Sequence, residues 1–383
     1  MPAQENPTVA IAKCDDYIDK HVEQALEKVL SHLGGIGKFV KKGDRVLLKV
    51  NLLIGKAPEE AVTTHPAVVK AVLKQVIKAG GKPSVGDSPS ASSFHSFEAV
   101  ASAAGIKQVC DELKVPLVEL TEPEETHNPN GIVSKSFMVS SRLKDFDVVI
   151  NMPKLKTHSL TVFTGAVKNL YGCVSGRHKA VYHVSAQDGH RFTEMLLDLY
   201  PLVRPGLNIM DGIIGMEGDG PAAGEPKKVG VIIAGDNAIA VDAVATTVVS
   251  LYDHVPLFRI AKDRKLAGAS LSGITILGEK IEDVQIHDLI RPEPAGYFLI
   301  PKQLRTAVRK AIADRPVLEP SLCIGCESCA NICPKKAITM VSKRPKFDYN
   351  LCIRCYCCQE VCPQKAIILK GSPLSFLRKK KQK

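Results

Sequence analysis

Cys323-Ile-Gly-Cys326-Glu-Ser-Cys329-Ala-Asn-Ile-Cys333-Pro334 and Cys352-Ile-Arg-Cys355-Tyr-Cys-Cys358-Gln-Glu-Val-Cys362-Pro363 are two copies of one spacing. Each runs into a similar tail, Pro334-Lys-Lys-Ala-Ile338 and Pro363-Gln-Lys-Ala-Ile367. Nine of the 12 cysteines fall between Cys323 and Cys362, so this stretch is an internal duplication built around thiols. Three thiolates on a tight loop can each reach one iron corner of a cubane, while the fourth, on the helix that follows, points to a second cluster. The spacing therefore assigns Cys323, Cys326, Cys329 and Cys362 to one [4Fe-4S] cluster. It assigns Cys333, Cys352, Cys355 and Cys358 to another. The closing prolines help turn the chain, because proline cannot donate a hydrogen bond. Structural zinc sites use paired Cys-x-x-Cys knuckles, and disulfides need an oxidising compartment, so neither accounts for this pattern.

Working outward, the chain has 383 residues, enough for at least two domains. Its composition, 45% hydrophobic and 24% charged, is that of a globular protein. The net charge of +11 is unevenly placed. Residues 291–383 carry 19 Lys/Arg against 6 Asp/Glu, leaving 32 against 34 in residues 1–290. The excess partly offsets the negative clusters. The tail Arg378–Lys383 is read as a solvated end. No segment stays apolar for the roughly 18–20 residues a membrane span needs. Residues 1–10 lack a basic start followed by an apolar run, so a cytoplasmic location is expected. No nucleic-acid partner is expected.

Residues 8–290 alternate between short apolar runs and helical periodicity. Strands are expected at Thr8–Ala12, Arg45–Val50, Pro83–Gly86, Asp147–Ile150, Leu207–Met210 and Val229–Ile233. Helices are expected at Tyr17–Leu33, Pro66–Ala79 and Val241–Leu251, with Gly34-Gly35 and Gly80-Gly81 as stops. The alternation implies an α/β fold, a largely parallel sheet flanked by helices. The duplicated module adds a small C-terminal α+β domain. Domains are drawn at 1–290, with a linker at 291–315 that carries a basic helix at Lys302–Ala313, a ferredoxin-type unit at 316–371 and a basic tail at 372–383.

Polar residues gather just past strand ends, where open α/β sheets place ligands. Lys49 and Asn51 end one strand, Asp87 and Ser88 follow another, and Asp211 follows a third. Lys154, Lys156 and His158 put three potential cations within five residues, and Lys168 and Asn169 open a short helix shortly after. A helix start with basic side chains and free N–H groups suits a carboxylate or phosphate. Lys154, Lys156, His158 and Lys168 are the candidate catalytic residues. Lys49, Asn51, Asp87, Ser88, Asn169, Asp211, Glu217 and Asp219 are candidates for holding a cofactor or substrate. Glu217 and Asp219 lie on a glycine-rich acidic loop and could bind a divalent ion, act as acid/base groups or pair with Lys154, Lys156 or Lys168. No phosphate cradle of the Gly-x-x-x-x-Gly-Lys-Ser/Thr type and no Gly-x-Gly-x-x-Gly after the first strand is present, which argues against nucleotide binding there. Cys14, Cys110 and Cys173 read as buried hydrophobes, with Cys173 nearest the motif-rich stretch.

The runs Lys49-Val-Asn51, Gly86-Asp-Ser-Pro89, Asn151-Met-Pro-Lys-Leu-Lys-Thr-His158, Thr164-Gly-Ala-Val-Lys-Asn-Leu-Tyr-Gly172 and Asp211-Gly-Ile-Ile-Gly-Met-Glu-Gly-Asp-Gly-Pro221 resemble domain-of-unknown-function family 362. The repeat at 316–371 resembles a bacterial-type ferredoxin domain. Here Ser328 and Cys357 stand before the third cysteine, where a glycine is frequent. Cys357 is read as a packing residue beside the ligand Cys358. The resemblance implies an iron-sulfur protein of redox metabolism and names no substrate. Three functions follow as expectations. In the first, an oxidoreductase passes low-potential electrons between the clusters and a small anionic substrate or cofactor held in the α/β domain. In the second, a non-catalytic carrier docks a redox partner protein. In the third, the protein is a maturation factor for cofactors or metal centres. Iron and sulfide analysis of the reconstituted chain is expected to give about eight of each per chain, falling to roughly half when Cys352 is replaced by Ala.

Overall fold

The computed structural model describes residues 6–89, 96–176, 178–186, 188–292 and 313–371. The basic helix expected over Lys302–Ala313 lies, but for its last residue, outside them, as does the tail Arg378–Lys383.

The strands, in chain order, are β1 Thr8–Lys13, β2 Arg45–Lys49, β3 Lys82–Asp87, β4 Leu117–Glu119, β5 Pro123–His127, β6 Ser136–Ser140, β7 Val148–Asn151, β8 Lys154–His158, β9 Val162–Thr164, β10 Leu207–Glu217, β11 Glu225–Gly235, β12 Thr275–Gly278, β13 Arg315–Leu318, β14 Ile338–Val341, β15 Arg344–Phe347 and β16 Ile367–Lys370. The helices are α1 Asp19–His32, α2 Pro66–Lys78, α3 Phe97–Ala103, α4 Ile106–Leu113, α5 Ala166–Asn169, α6 His178–Ala186, α7 Gly189–Val203, α8 Ala238–Val248, α9 Pro256–Asp263, α10 Ser328–Ile332 and α11 Cys357–Glu360.

Ten strands form one mixed, mostly parallel sheet ordered β12-β1-β11-β10-β7-β2-β3-β4, with β8 and β9 branching from β10. Along that path only β11 runs against the others. Successive side chains on a strand face opposite ways, so each strand feeds two cores. Val9 and Ile11 pack on one side of the sheet, Ala10 and Ala12 on the other. Leu47 is likewise separated from Val46 and Leu48, and Ile233 from Ile232. This two-sided burial is why the strands read as unbroken apolar runs. Helices α1 and α2 cover one face, while α7, α8 and α9 cover the other.

The expected strands are present, with three differences. The runs at Leu207 and Val229 extend to 11 residues each and pair antiparallel, because the glycine-rich stretch between them turns the chain back on itself. The stretch Lys154–His158 is a fully buried strand paired with β9 and β10, and not a basic loop. The helix expected at Val241 starts at Ala238, because the Asn237 side chain caps it by accepting from the Ala240 N–H. Helix α7 was not expected from the sequence, although Asp188 caps it through the Arg191 N–H and an apolar stripe follows.

The duplication is visible in the backbone of the C-terminal unit. Equivalent positions share left-handed φ values: Gly325 and Arg354 (71° and 55°), Glu327 and Tyr356 (63° and 64°), Lys336 and Lys365 (49° and 51°). Strand β13 pairs with β16, and β14 with β15, around the cysteine loops. This unit packs on the large sheet domain. Glu360 lies 3.2 Å from His158, Ser159 reaches Gln359, and Lys365 lies 3.8 Å from Glu225 and donates to the Gly224 carbonyl.

On the far helical layer, Asp198 of α7 is wholly buried and accepts from the N–H groups of Ile132, Val133 and Ser134 and from Arg264. Removing a carboxylate so partnered strands four donors in a dry site. Asp198→Ala is expected to cost on the order of 3–5 kcal/mol in urea unfolding of the holoprotein.

Candidate functional site

The polar residues that the sequence places after strands meet at the carboxyl ends of β2, β3 and β7. There Asn51 donates to Asn169, Asn169 to Asn151, Asn151 to Asn208 and Asn208 to the Gly235 carbonyl, at 3.0, 2.8, 2.8 and 3.2 Å. Lys156 adds its ammonium to this line by donating to Asn51 Oδ1 at 2.7 Å and to the Val62 carbonyl at 2.7 Å. Beside it, Lys49 lies 2.8 Å from Asp87, whose carboxylate also accepts from Leu52 N–H and Ser88 N–H. Gly172 packs on this pair so closely that a Cβ would sit 2.3 Å from Asp87 Oδ1 and 2.5 Å from Lys49 Nζ. Only glycine admits that approach.

Asn51, Asp87, Ser88, Asn169 and Gly172 floor a cleft partly open to solvent, with Lys49, Asn151 and Asn208 behind them. Lys156, Lys168, Asn169, Tyr171 and Lys179 line it from the sheet domain. Cys357, Glu360 and Val361 line it from the C-terminal unit. Among the described residues, Lys156 and Lys168 have no carboxylate within ion-pair distance. Burial and then the charge of Lys168 push the Lys156 ammonium well below its ordinary pKa. Burial also lowers Lys168, which Glu360 and Cys357 partly counteract. Lys179 donates to the backbone carbonyls of Ser88 and Pro89, and burial brings it down to about 8. The site is therefore rich in amines that a bound anion would charge.

Several candidates have other roles. Lys154 is buried against Asp211 (2.9 Å) and the Tyr17 hydroxyl (2.8 Å), and Asp211 also accepts from the His65 N–H; this cluster is absent from the cleft lining. His158 is buried too. Its Nδ1 accepts from the Leu160 and Thr161 N–H groups, so the proton sits on Nε2, facing Glu360 at 3.2 Å in a contact poorly angled for a hydrogen bond. Burial pushes His158 down to about 4, helped by Lys168. Burial opposes ionisation of Glu360, yet His158 and Lys168 hold its carboxyl down at about 2. The pair is thus a neutral imidazole against a carboxylate. Glu217 accepts from the Ile290 N–H, Asp219 is exposed, and neither lines the cleft. The N–H groups expected to be free at the start of α5 are taken by Asp242, which accepts from Ala166 and Val167. Gly165 leaves room for that carboxylate, since a Cβ there would meet it at 2.1 Å.

Sequence reasoning missed Asn208, Lys179, Glu360 and Asp242. Asn208 and Asp242 lie inside apolar runs, and a polar residue in such a run was the available signal. Lys179 and Glu360 carry no local mark. Cys173 is buried, and its thiol is pushed up to about 11, so it is an inert core residue.

Two further cavities hold the thiols. One, of about 340 Å³, is lined by Cys323, Cys326, Cys329 and Cys362. The other, of about 360 Å³, is lined by Cys333, Cys352, Cys355 and Cys358, together with Cys357. The last cysteine of each repeat accepts a backbone N–H at 3.2 Å, Ala337 to Cys333 and Ala366 to Cys362. Four thiols around an apolar void, with N–H groups directed at sulfur, fit the donor chemistry of a [4Fe-4S] cluster. Cys357 lines both the second cavity and the cleft.

Residues 46–247, just over half of the chain, match the family described as domain of unknown function DUF362. Residues 322–366 match a 4Fe-4S dicluster domain. The Thylakoid-associated protein sll1697 of Synechocystis sp. is 40% identical over 245 residues, covering 64% of this chain and 75% of that protein. A Thermotoga maritima protein of known crystal structure aligns at TM-score 0.41 and 13% identity, over 64% of this chain and 61% of its own. The lactate racemase apoprotein of Thermoanaerobacterium thermosaccharolyticum aligns at 0.36 and 12%, over 54% and 51%. The chain thus spans less than two thirds of either solved structure. Among the described residues no helix is long and apolar enough to cross a membrane.

The depressed His158 gives a pH signature. Between about pH 4 and 6.5 the unfolded chain binds a proton there that the folded chain does not, so stability rises with pH through that window. Asp242, which burial pushes up to about 7, titrates in the opposite sense. The contribution of Asp242 cancels when wild type is compared with His158→Asn. The stability of wild type relative to that variant is expected to grow from pH 4 to 6.5 and then level off, as read by urea midpoints.

Proposed function

We propose that this chain, which belongs to the DUF362 family and carries a 4Fe-4S dicluster domain, moves electrons between two [4Fe-4S] clusters and a small anion bound in the cleft. The observation that carries this reading is the position of Cys357. Among the described residues, it alone belongs both to the cavity of Cys333, Cys352, Cys355 and Cys358 and to the lining of the basic cleft. One side chain thus separates the second thiol site from the ligand site.

In this reading Cys323, Cys326, Cys329 and Cys362 hold one cluster, and Cys333, Cys352, Cys355 and Cys358 hold the other. Bound clusters supply one-electron chemistry at low potential. The chain's own residues bind and orient. Lys156 and Lys168 attract the carboxylate or phosphate group of a reducible molecule and oppose the negative charge that electron uptake adds to that molecule's acceptor group. Asn51 and Asn169 fix the direction of Lys156 through the amide line. Lys49 and Asp87 hold the floor rigid beneath Gly172. His158 is a positioning residue: its ring fastens the β8–β9 turn and steadies Glu360 on the cysteine-bearing wall. Lys154 and Asp211 brace β8 against β10. The ninth thiol, Cys357, is the wall through which electrons pass.

The test uses reconstituted holoprotein reduced with dithionite and then exposed to a panel of small carboxylates and phosphates. Reoxidation is followed by the visible absorbance of the clusters. A panel member is expected to reoxidise them, with Lys168→Ala slowing the process at least about tenfold, as loss of one charge-stabilising donor does. The proposal fails if no panel member reoxidises the clusters, and it fails equally if Lys156→Ala and Lys168→Ala leave the reoxidation rate unchanged.

A further inference from the structure

The two thiol cavities are not equivalent in their surroundings. Beside the Cys333/Cys352/Cys355/Cys358 cavity Tyr356 and Cys357 are buried, and the buried Arg354 donates to the Ala313 carbonyl. This is the cavity that adjoins the cleft. Among the described residues, the Cys323/Cys326/Cys329/Cys362 cavity shares no lining residue with the cleft. Its loop exposes Leu322 and Ile324, 46% and 57% accessible, on either side of Cys323. The equivalent of Ile324 in the second repeat, Ile353, is half-buried, and Leu351 beside Cys352 is exposed.

The tip of the β14–β15 hairpin packs on that first loop. Arg344 donates to the Pro320 carbonyl at 2.9 Å and to the Cys323 carbonyl, and the Lys343 carbonyl lies 2.9 Å from where a Gly325 Cβ would stand. Val341, the register partner of Arg344, is exposed, as are Lys343, Arg344 and Lys346 on the same hairpin. Glu327 is the carboxylate in the lining of this cavity. Apolar side chains over a redox centre with a cationic rim have the anatomy of a transient electron-transfer interface.

We propose that electrons enter at the Cys323/Cys326/Cys329/Cys362 site from an acidic one-electron carrier protein docked on Leu322, Ile324 and Val341, and leave at the Cys357 wall. Charge complementarity selects the partner: three exposed cations around the patch attract an acidic surface and repel a basic one. One electron passes from the reduced carrier to the [4Fe-4S] cluster at that site; no bond forms or breaks and no proton moves. The inference rests on the two-cluster reading and is independent of what the cleft binds.

The test needs no turnover. Oxidised holoprotein is titrated calorimetrically with an oxidised flavodoxin, a small acidic FMN protein, at low salt and at about 1 M salt, where the screening length falls to about 3 Å. Wild type is expected to bind at low salt and to lose that binding at high salt. The double variant Lys343→Glu/Lys346→Glu is expected to bind at least tenfold more weakly at low salt, with unchanged iron content and unchanged reduction by dithionite. Stopped-flow reduction by flavodoxin hydroquinone should slow by a similar factor. The proposal is overturned if the variant binds as tightly as wild type. It is also overturned if flavodoxin neither binds nor reduces clusters that dithionite reduces. Failure of every cleft ligand to reoxidise the clusters would leave these outcomes unaffected, so the two readings fail separately.

Discussion

A line of amide hydrogen bonds from the Gly235 carbonyl through Asn208, Asn151, Asn169 and Asn51 to Lys156 holds the carboxyl edge of the sheet together. Each of these groups is taken out of water, and a buried polar atom without a partner costs more than a made hydrogen bond returns. Every member therefore constrains the next. The line crosses five elements, since Gly235 ends β11, Asn208 opens β10, Asn151 ends β7, Asn169 ends α5 and Lys156 lies in β8. Through it the position of one amine, Lys156, is set by residues more than 150 positions apart in the chain. Such networks rigidify only when complete.

The second constraint is charge. Lys49 and Lys154 are buried with carboxylates, Asp87 and Asp211, and serve the scaffold. Lys156 and Lys168 are desolvated without one, and the protein tolerates this by lowering their pKa. Strained titration of this kind clusters at functional sites. The contrast separates lysines paired with carboxylates from lysines that line the cleft. The C-terminal unit completes the arrangement: its α11 helix supplies Glu360 and Cys357 as one wall of the cleft. At the equivalent positions of the first repeat stand Asn331 and Ser328, so the two halves of the duplication have diverged where one of them meets the sheet domain.

Much of this was legible beforehand. Two-sided burial leaves unbroken apolar runs, so the strands and their ligand-bearing ends could be placed; the capping of α8 by Asn237 and the reach of β10 and β11 could not, because the apolar period masked them. Lys49, Asn51, Asp87 and Asn169 were identified by their place after strands and do meet at one edge. The sequence groups Lys154 and His158 with them as cations beside Lys156, and Glu217 and Asp219 as carboxylates on the glycine-rich loop that follows Asp211. Strand alternation, the Asp211 ion pair and the turn of β10 into β11 send them elsewhere.

The sequence by itself determined the iron-sulfur character of the chain, because cluster ligation is a matter of thiol number and short spacing along one loop, both of which are written in order. It also determined the α/β class, because period-two and period-3.6 burial leave their marks locally. Only the tertiary structure decided which lysines line the cleft, what holds them and which side chain the cleft shares with the second thiol cavity. Those answers depend on desolvation and on pairing between residues far apart in the chain, and neither has a local signature. Cys357 shows the difference: in sequence it is one extra thiol, and in space it is the side chain shared by the second thiol cavity and the cleft.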